Sequence, residues 1–328
     1  MRRRQFIRLL GGSAACWLAA PNLAFAQQGG KIPRVGDLVT ASPPHPFANA
    51  LRQGLQSVGY AEGRNIALDI RYTEGRSDRA REQAAELVRS GVDMIVAHFT
   101  PAVRAAMAAT QTIPIVMAPA GAPLQTGFIK SLAHPGGNVT GLSAMDAEIG
   151  GKRIQLLRDL IPNLACVGVL ATTPTTDPYA VPYVADISAA AASAGVRLAP
   201  VQIGGPSEYE EAFAEMARAK AQAVIVQPFF DPHAKTLLQL ANKHRIAYMS
   251  SGRAAVADGG LVSISANFVL LYERSAPYVD KIIKGATPAS LPVEQPSKFQ
   301  VVVNSKTAQA LGLTISPLLL AQIDEVID

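Results

Sequence analysis

The chain contains very little cysteine and tryptophan. Its 328 residues include two cysteines and one tryptophan, and both Cys16 and Trp17 lie within the first 26 residues. Cys166 is therefore the single cysteine beyond residue 26, which excludes an intramolecular disulfide scaffold there. Because Cys166 lies beside Val167 and Val169 in an apolar run, we interpret it as a small buried hydrophobic residue and not as a reactive thiol.

An excess of positive charge is also lacking once the N-terminus is set aside. The formal net charge is +5, but four arginines lie in the first eight residues, and 26 basic and 25 acidic residues follow residue 26. We therefore expect no nucleic-acid partner. The chain is 49% hydrophobic and 17% charged, which excludes a disordered or fibrous protein and suits a folded α/β protein with two domains or two lobes.

Residues 1–26 are predicted to be an export signal. A basic start precedes an apolar stretch of about twelve residues, which ends at Ala24-Phe25-Ala26, a small-residue pattern typical of a cleavage site. The stretch is shorter than the ~20 residues that a membrane anchor needs, and a lipoprotein signal at Cys16 is a second, less favoured alternative. Arg3-Arg4-Gln5-Phe6 is similar to a twin-arginine signal. We therefore expect cleavage near Ala26 and a periplasmic protein.

Short β-branched runs alternate with alanine-rich amphipathic segments along the rest of the chain. Strands are predicted at 35–40, 66–72, 93–99, 113–118, 166–172, 196–203, 223–229 and 246–250. Helices are predicted at 47–58, 77–91, 101–110, 179–194, 207–220 and 232–244. This alternation predicts parallel sheets with helices on both faces, and the two sets of about 110 residues predict two similar Rossmann-like lobes.

Three extended stretches are predicted to cross between the lobes. They cover residues 136–143, 259–265 and 299–304, and the first two are rich in glycine. The first lobe would then hold residues 31–141 and about 264–297, and the second about 142–263 and 298–328. Three crossings form a hinge, and hinged lobes close over ligands.

Several stretches together resemble the substrate-binding proteins of a bacterial ABC-transporter family related to tryptophan and tyrosine binders. They are FANALRQGLQSVGYAEGRN from Phe47, 72–76, 135–141, 258–261 and 311–315. The resemblance implies a type I periplasmic-binding-protein fold with three crossovers and the capture of a small solute, such as an amino acid or an aromatic carboxylate. It also implies an ABC permease and ATPase at the inner membrane as partners. We expect a monomer without a cofactor.

Motifs for catalysis are absent from the sequence. There is no glycine-rich dinucleotide or phosphate loop, no serine-hydrolase elbow, and no histidine or cysteine pair at metal-ligand spacing. We therefore predict no catalytic and no metal-binding residues. Two alternatives to an importer component stay open: an exported binding protein that serves a sensor or chemoreceptor, and an uncharacterised exported enzyme on the same scaffold.

Ligands of open parallel sheets bind beyond the carboxyl ends of the strands, which selects twelve candidate residues. They are Ser42, His98, Phe99, Thr100 and Ala120 in the first lobe, and Thr173, Thr175, Phe229, Phe230, Asp231, Ser251 and Arg253 in the second.

The candidates also have structural interpretations. Thr100 precedes Pro101 and is predicted to cap a helix whose backbone N–H groups face the cleft. As neighbours in a strand, one of Phe229 and Phe230 should face the core. Asp231 is either a helix cap or a partner for a ligand amine, and His98 either a structural histidine or a ligand contact.

Arg253 carries the most specific prediction. It lies in a loop of small residues, 250–255, where members of the resembled family often carry bulky ones. An anionic ligand would be held between Arg253 and the N–H groups beside Thr100, and Arg253→Ala would then weaken binding at least about tenfold while leaving the melting temperature of the ligand-free protein nearly unchanged. The alternative is a solvated surface arginine.

Overall fold

A computed structural model describes residues 31–144 and 149–328. The predicted export signal lies outside the described residues. Within them, no helix is long and apolar enough to cross a membrane.

The first lobe is built on a five-stranded parallel sheet. Its strands are β1 (Arg34–Val39), β2 (Ala67–Tyr72), β3 (Met94–Ala97), β4 (Ile115–Ala120) and β5 (Val139–Ser143), and its first three helices are α1 (Pro46–Ser57), α2 (Ser77–Arg89) and α3 (Phe99–Ala109). The strand order is β2-β1-β3-β4-β5. The central strands β3 and β4 are buried along their whole length, because helices cover both faces of the sheet.

The second lobe is built on a seven-stranded sheet. Its strands are β6 (Cys166–Thr172), β7 (Arg197–Ile203), β8 (Ala223–Val226), β9 (Ala247–Ser250), β10 (Val262–Ser265), β11 (Gln300–Asn304) and β12 (Glu325–Ile327). Its helices are α4 (Gly150–Leu160), α5 (Ala180–Ser193), α6 (Tyr209–Arg218), α7 (Ala234–His244), α8 (Arg253–Ala257), α11 (Ser305–Ala310) and α12 (Pro317–Leu320). The order is β12-β11-β10-β9-β8-β6-β7. Strand β11 is antiparallel to β10, and β12 is parallel to β11, so β11 and β12 run opposite to the other five described strands of this sheet. Cys166 is buried in this lobe, as predicted.

Helices α9 (Phe268–Glu273) and α10 (Ala276–Ile283) follow β10 and return the chain to the first lobe, where they pack on α1. Gly54 permits this close packing, since a side chain there would collide with the Glu273 carbonyl. The chain later passes the edge of β5, where Glu294 bonds to the backbone of Gly141 and Ser143, and returns to β11. The chain thus passes between the two sheets three times, and the predicted fold class is confirmed.

Several predicted boundaries were wrong in ways that affect the site. Residues 139–143, 262–265 and 300–304 are strands β5, β10 and β11, so the crossings are the shorter segments beside them. Phe99 begins α3 and does not end a strand. Strand β8 ends at Val226, and Phe229 and Phe230 lie in the 3₁₀ turn Pro228–His233. The β-branched run ends at Val226, and Pro228 and Pro232 favour a turn.

Candidate ligand-binding cleft

A cleft of about 940 Å³ lies between the lobes, at the carboxyl ends of strands from both sheets. Its walls include Thr40 and His98 after β1 and β3 of the first lobe, and Asp177 and Phe229 of the second. This is the position expected for ligands of open parallel sheets. The volume is in the range of small-molecule sites.

The first-lobe face of the cleft is aromatic. The His98 and Phe99 rings stack with their centroids 3.7 Å apart, and Phe268 from the hinge meets Phe99 edge-on at 5.3 Å. Phe47 also lines the cleft and stacks on Tyr272 at 5.0 Å with only 7° between the ring planes. The aromatic cluster therefore connects the cleft wall to hinge helix α9.

Helix α3 begins at the cleft with a strained residue. Phe99 has φ = +60°, which is uncommon for a bulky side chain. The N-cap residue is His98, and Thr100 is buried inside the first turn, where its hydroxyl accepts from the Gly121 N–H at 3.2 Å. The prediction that Thr100 caps the helix was therefore wrong, because the left-handed Phe99 starts the helix earlier.

Two helix N-termini reach the cleft on this face. Ser77 at the start of α2 and Phe99 at the start of α3 both line it, and neither helix has a side-chain cap that accepts from its first N–H groups. Such termini carry partial positive charge and favour anions.

His98 is held as a neutral imidazole. It is 1% exposed, and its Nδ1 lies 2.6 Å from the Thr40 hydroxyl oxygen. Burial, and then the neighbouring His45, lower the pKa of His98 well below its ordinary value. The structural interpretation of His98 therefore has direct support, in addition to its place in the wall.

Beneath the aromatic face lies a buried acid that the sequence did not reveal. Asp37 on β1 is fully buried and accepts a hydrogen bond from the Tyr272 hydroxyl of α9. Burial raises the pKa of Asp37 to about 7, although the Tyr272 bond and the charge of Arg52 act in the opposite direction. This contact joins the hinge helix to the first sheet.

The second-lobe face carries a buried carboxylate, Asp177. Asp177 is 2% exposed, its Oδ1 accepts from the Tyr179 N–H at 3.0 Å, and its Oδ2 accepts from Gln227 Nε2 at 2.8 Å. Gln227 is itself fixed, since its Oε1 accepts from the Thr172 N–H at 2.8 Å. Burial raises the pKa of Asp177 to about 6, against the Tyr179 N–H bond and the charge of Arg104, which both lower it.

Seven of the twelve predicted residues line the cleft. They are Ser42, His98, Phe99, Thr100, Phe229, Asp231 and Arg253. Asp231 lies in the turn before α7, which begins at Ala234, so it is not the cap of that helix.

The other five predicted residues are not part of the cleft wall. Ala120 and Phe230 are buried in the cores of their lobes. Ser251 is buried and donates to a backbone carbonyl of β8. Thr173 and Thr175 bond to each other at 2.9 Å within a turn. Ala120 is the last residue of strand β4 and not part of a loop after it, so its predicted position was wrong, whereas the other four residues follow strands and are held by local packing away from the cleft.

Arg253 lies at the rim of the cleft and is already paired. Its Nε and Nη2 donate to the Glu325 carboxylate of β12 at 2.9 and 2.6 Å, and its side chain is 55% exposed. The pairing was invisible in the sequence, because 72 residues separate the partners.

Sequence reasoning missed important parts of the wall. These include Thr73, Asp177, Tyr179 and Phe268. Phe268 directly follows the second crossing, and residues at a hinge between lobes are natural wall positions. The sequence around Asp177 does not indicate a buried side chain, because the amide that hydrogen-bonds to it belongs to Gln227, 50 residues away.

Comparison with known proteins identifies relatives of this architecture. The family model described as ABC transporter substrate binding protein matches residues 45–327. A tyrosine-binding protein of Clostridioides difficile (strain R20291) is 24% identical over 82% of this chain and 78% of its own.

Two solved structures, each 26% identical, cover 90% of this chain and all of theirs: an ABC domain in complex with L-Trp from Streptococcus pneumoniae, with a TM-score of 0.84, and a conserved domain protein from Vibrio cholerae, with 0.83. The fold is that of type I periplasmic binding proteins, and the chain belongs to the ABC transporter substrate-binding protein family.

Proposed function

We propose that the protein is the solute-binding component of an ABC importer in the periplasm, and that its solute is an aromatic amino acid enclosed between the lobes. An ABC permease and ATPase at the inner membrane would receive the solute. The family membership supports the role, and the tyrosine-binding and L-Trp-bound relatives support the ligand class.

The observation that carries the ligand class is the Asp177 carboxylate. It is buried in the cleft wall, and its two contacts come from uncharged N–H donors, Tyr179 and Gln227. A buried carboxylate is stabilised by a cation, and the α-ammonium group of an amino acid supplies one. Gln227 and Tyr179 occupy one position on each oxygen and leave further acceptor capacity for such a ligand.

The opposite end of an amino acid fits the first lobe. The N-termini of α2 and α3 favour a carboxylate, and the Ser42 and Thr73 hydroxyls in the same wall are further donors. A zwitterion therefore finds its two partners in different lobes. Since each open lobe satisfies only one end, ligand binding favours closure.

The aromatic side chain of the ligand would lie among the rings of the wall. Phe99 and Phe268 approach from the first lobe and the hinge, and Phe229 from the second lobe. Aromatic pairs gain about 0.5–1.5 kcal/mol beyond the burial of apolar area. This favours tryptophan, tyrosine or phenylalanine over aliphatic amino acids.

The test is a screen of amino acids against the purified protein, together with mass spectrometry of any molecule that co-purifies. A ligand that binds only the folded form stabilises it by about 2.7 kcal/mol at a hundredfold excess over Kd. Because the single tryptophan is Trp17, the chain without its signal has only tyrosine fluorescence, and bound L-tryptophan is directly visible. If no amino acid shifts the melting temperature, the ligand class is wrong. If a tight ligand leaves small-angle scattering unchanged, closure is wrong.

A further inference from the structure

Arg104 joins the two lobes outside the cleft wall. It lies on α3 of the first lobe, and its Nη2 donates to the backbone carbonyls of Thr175 at 3.0 Å and Thr176 at 2.5 Å in the second lobe. The partners are 71 and 72 residues away in the sequence. Because Arg104 and its partners belong to different lobes, these bonds join the lobes to each other in this structure.

The accepting segment is the loop that carries Asp177. Thr173 bonds through its hydroxyl to those of Thr175 and Thr176, at 2.9 and 3.0 Å, and its carbonyl accepts from the N–H groups of Thr176 and Asp177. The loop is therefore held in one conformation by its own hydrogen bonds. The bonds from Arg104 to its carbonyls consequently also fix the position of Asp177.

A second contact between the lobes lies beside this loop. The Tyr179 ring packs against Gly121 of the first lobe so closely that a Cβ at Gly121 would lie 2.8 Å from a ring carbon. The Arg104 bonds and the Tyr179–Gly121 contact thus both join the first lobe to residues 175–179. Arg104 is the only charged residue in these two contacts.

We propose that Arg104 is a positioning residue that fastens the Asp177 loop to the first lobe in the closed protein, and so determines how long a bound amino acid is retained. The inference rests on the proposed function, in which Asp177 receives the ligand ammonium. Arg104 is not itself required to touch the ligand.

The charge of Arg104 has a separate, measurable consequence. Arg104 lowers the pKa of Asp177, against the larger raising effect of burial. The other groups on the carboxylate, the Tyr179 N–H and the Gln227 amide, are uncharged. Removing the Arg104 charge should therefore move the pH at which ligand affinity is half lost upward, an effect that a purely structural residue would not have.

The experiment is stopped-flow and calorimetric binding of L-tryptophan and L-tyrosine to the wild type, Arg104→Gln and Arg104→Lys between pH 5 and 8. We expect Arg104→Gln to raise koff about tenfold and to leave kon within about twofold, because a charged hydrogen bond is lost from the closed form only. Its pH midpoint should move upward. Arg104→Lys keeps the charge, but its ammonium group does not reproduce the two bonds that the planar guanidinium directs from Nη2, so koff should rise while the midpoint stays at the wild-type value.

Arg81→Gln is the matched control, since Arg81 is an exposed arginine of helix α2 outside the cleft wall, and it should bind like the wild type. Unchanged koff and midpoint in a folded Arg104→Gln protein would overturn the inference and leave the proposed function intact. If the Gln variant does not fold, a wild-type koff in the Lys variant would overturn it. Failure of the wild type to bind any amino acid would overturn both proposals.

Discussion

The two faces of the cleft are built from opposite chemistry. The first-lobe face consists of stacked rings around His98 and Phe99 and the open N-termini of two helices. The second-lobe face centres on a buried carboxylate in a frame of amide groups. In the proposed complex neither face is complete without the other, because one suits the carboxylate and ring of an amino acid and the other suits its ammonium group.

Two buried aspartates differ in where they lie relative to the cleft, and this difference assigns one to the hinge and the other to the cleft wall. Asp37 and Asp177 both have pKa values raised by burial, to about 7 and about 6. Asp37 lies outside the cleft wall and is bonded to the Tyr272 hydroxyl of the hinge helix. Asp177 lies in the wall. The same residue type therefore fixes the hinge in one lobe and faces the ligand space in the other.

The largest expected effect is on the free energy of unfolding, and it distinguishes two neighbouring phenylalanines of the second lobe. Phe230 is 1% exposed in the core, whereas Phe229 is half-buried in the cleft wall. Phe230→Ala should lower the free energy of unfolding by about 3–5 kcal/mol through cavity formation. Phe229→Ala should change it far less and instead weaken binding of an aromatic amino acid. Denaturant unfolding and calorimetry of both variants measure this, and equal destabilisation would contradict the assignment.

The second prediction removes the charge from the second-lobe face. Asp177→Asn should weaken amino-acid binding about a hundredfold, or ~2.7 kcal/mol, because the ligand ammonium would be buried without its counter-charge. Asn can accept from only one of the Tyr179 N–H and the Gln227 amide, so the free energy of unfolding of the ligand-free protein should fall by about 1–3 kcal/mol, and binding is compared at a temperature where the variant is fully folded. Asp258→Asn, at an exposed acid of the rim, is the control. Similar Kd values for both variants would contradict the role of Asp177.

The third prediction uses pH to separate binding from stability. Below about pH 6 Asp177 is protonated, so affinity for an ammonium ligand should fall by roughly tenfold per pH unit. Stability moves the other way: Asp37 and Asp177 hold protons in the folded state that the unfolded chain, with a pKa of 3.8, releases, so stability falls as pH rises from about 4 to about 7. Calorimetry and melting curves from pH 4 to 8 check both trends. A pH-independent Kd, or an unaltered profile in Asp177→Asn, would refute the first.

The smallest expected effect is at the rim. Arg253 is half-exposed and paired with Glu325, and such surface pairs contribute little. Arg253→Ala should therefore change Kd by about twofold or less, in contrast to the loss of at least about tenfold expected when the arginine is taken as a ligand contact. Isothermal titration with the identified amino acid decides between the two. A tenfold loss would return Arg253 to the binding site and would place the ligand carboxylate nearer the second lobe.

Much of the architecture could be predicted from the sequence, because strand positions depend on local pattern. Continuous apolar runs such as 166–172 became fully buried strands, and the glycines at 91 and 195 follow helix ends. The errors fell where tertiary contacts override pattern. Residues 139–143 look like a linker, yet they pair with β4 because the edge of the first sheet is open to them.

The sequence predicted the location of the candidate site better than the individual residues that line it. The rule of strand ends selected loops that border the cleft, and seven of the twelve residues line its wall. It could not tell which side chain of a loop faces the cleft, since that depends on partners such as the Val226 carbonyl for Ser251 or Thr173 for Thr175. Asp177 was missed because it stands in a threonine-rich loop without any local sign of burial.

The sequence by itself determined the alternation of strands and helices, the two-lobed fold and the edges of the sheets that border the cleft, because these follow from the spacing of apolar residues along the chain. Only the tertiary structure decided which polar groups meet there. Asp177 receives its amide frame from Gln227, Arg104 reaches the opposite lobe, and Arg253 pairs with Glu325. These contacts join residues 50 to 72 positions apart, so their energies depend on three-dimensional proximity, which no local pattern encodes.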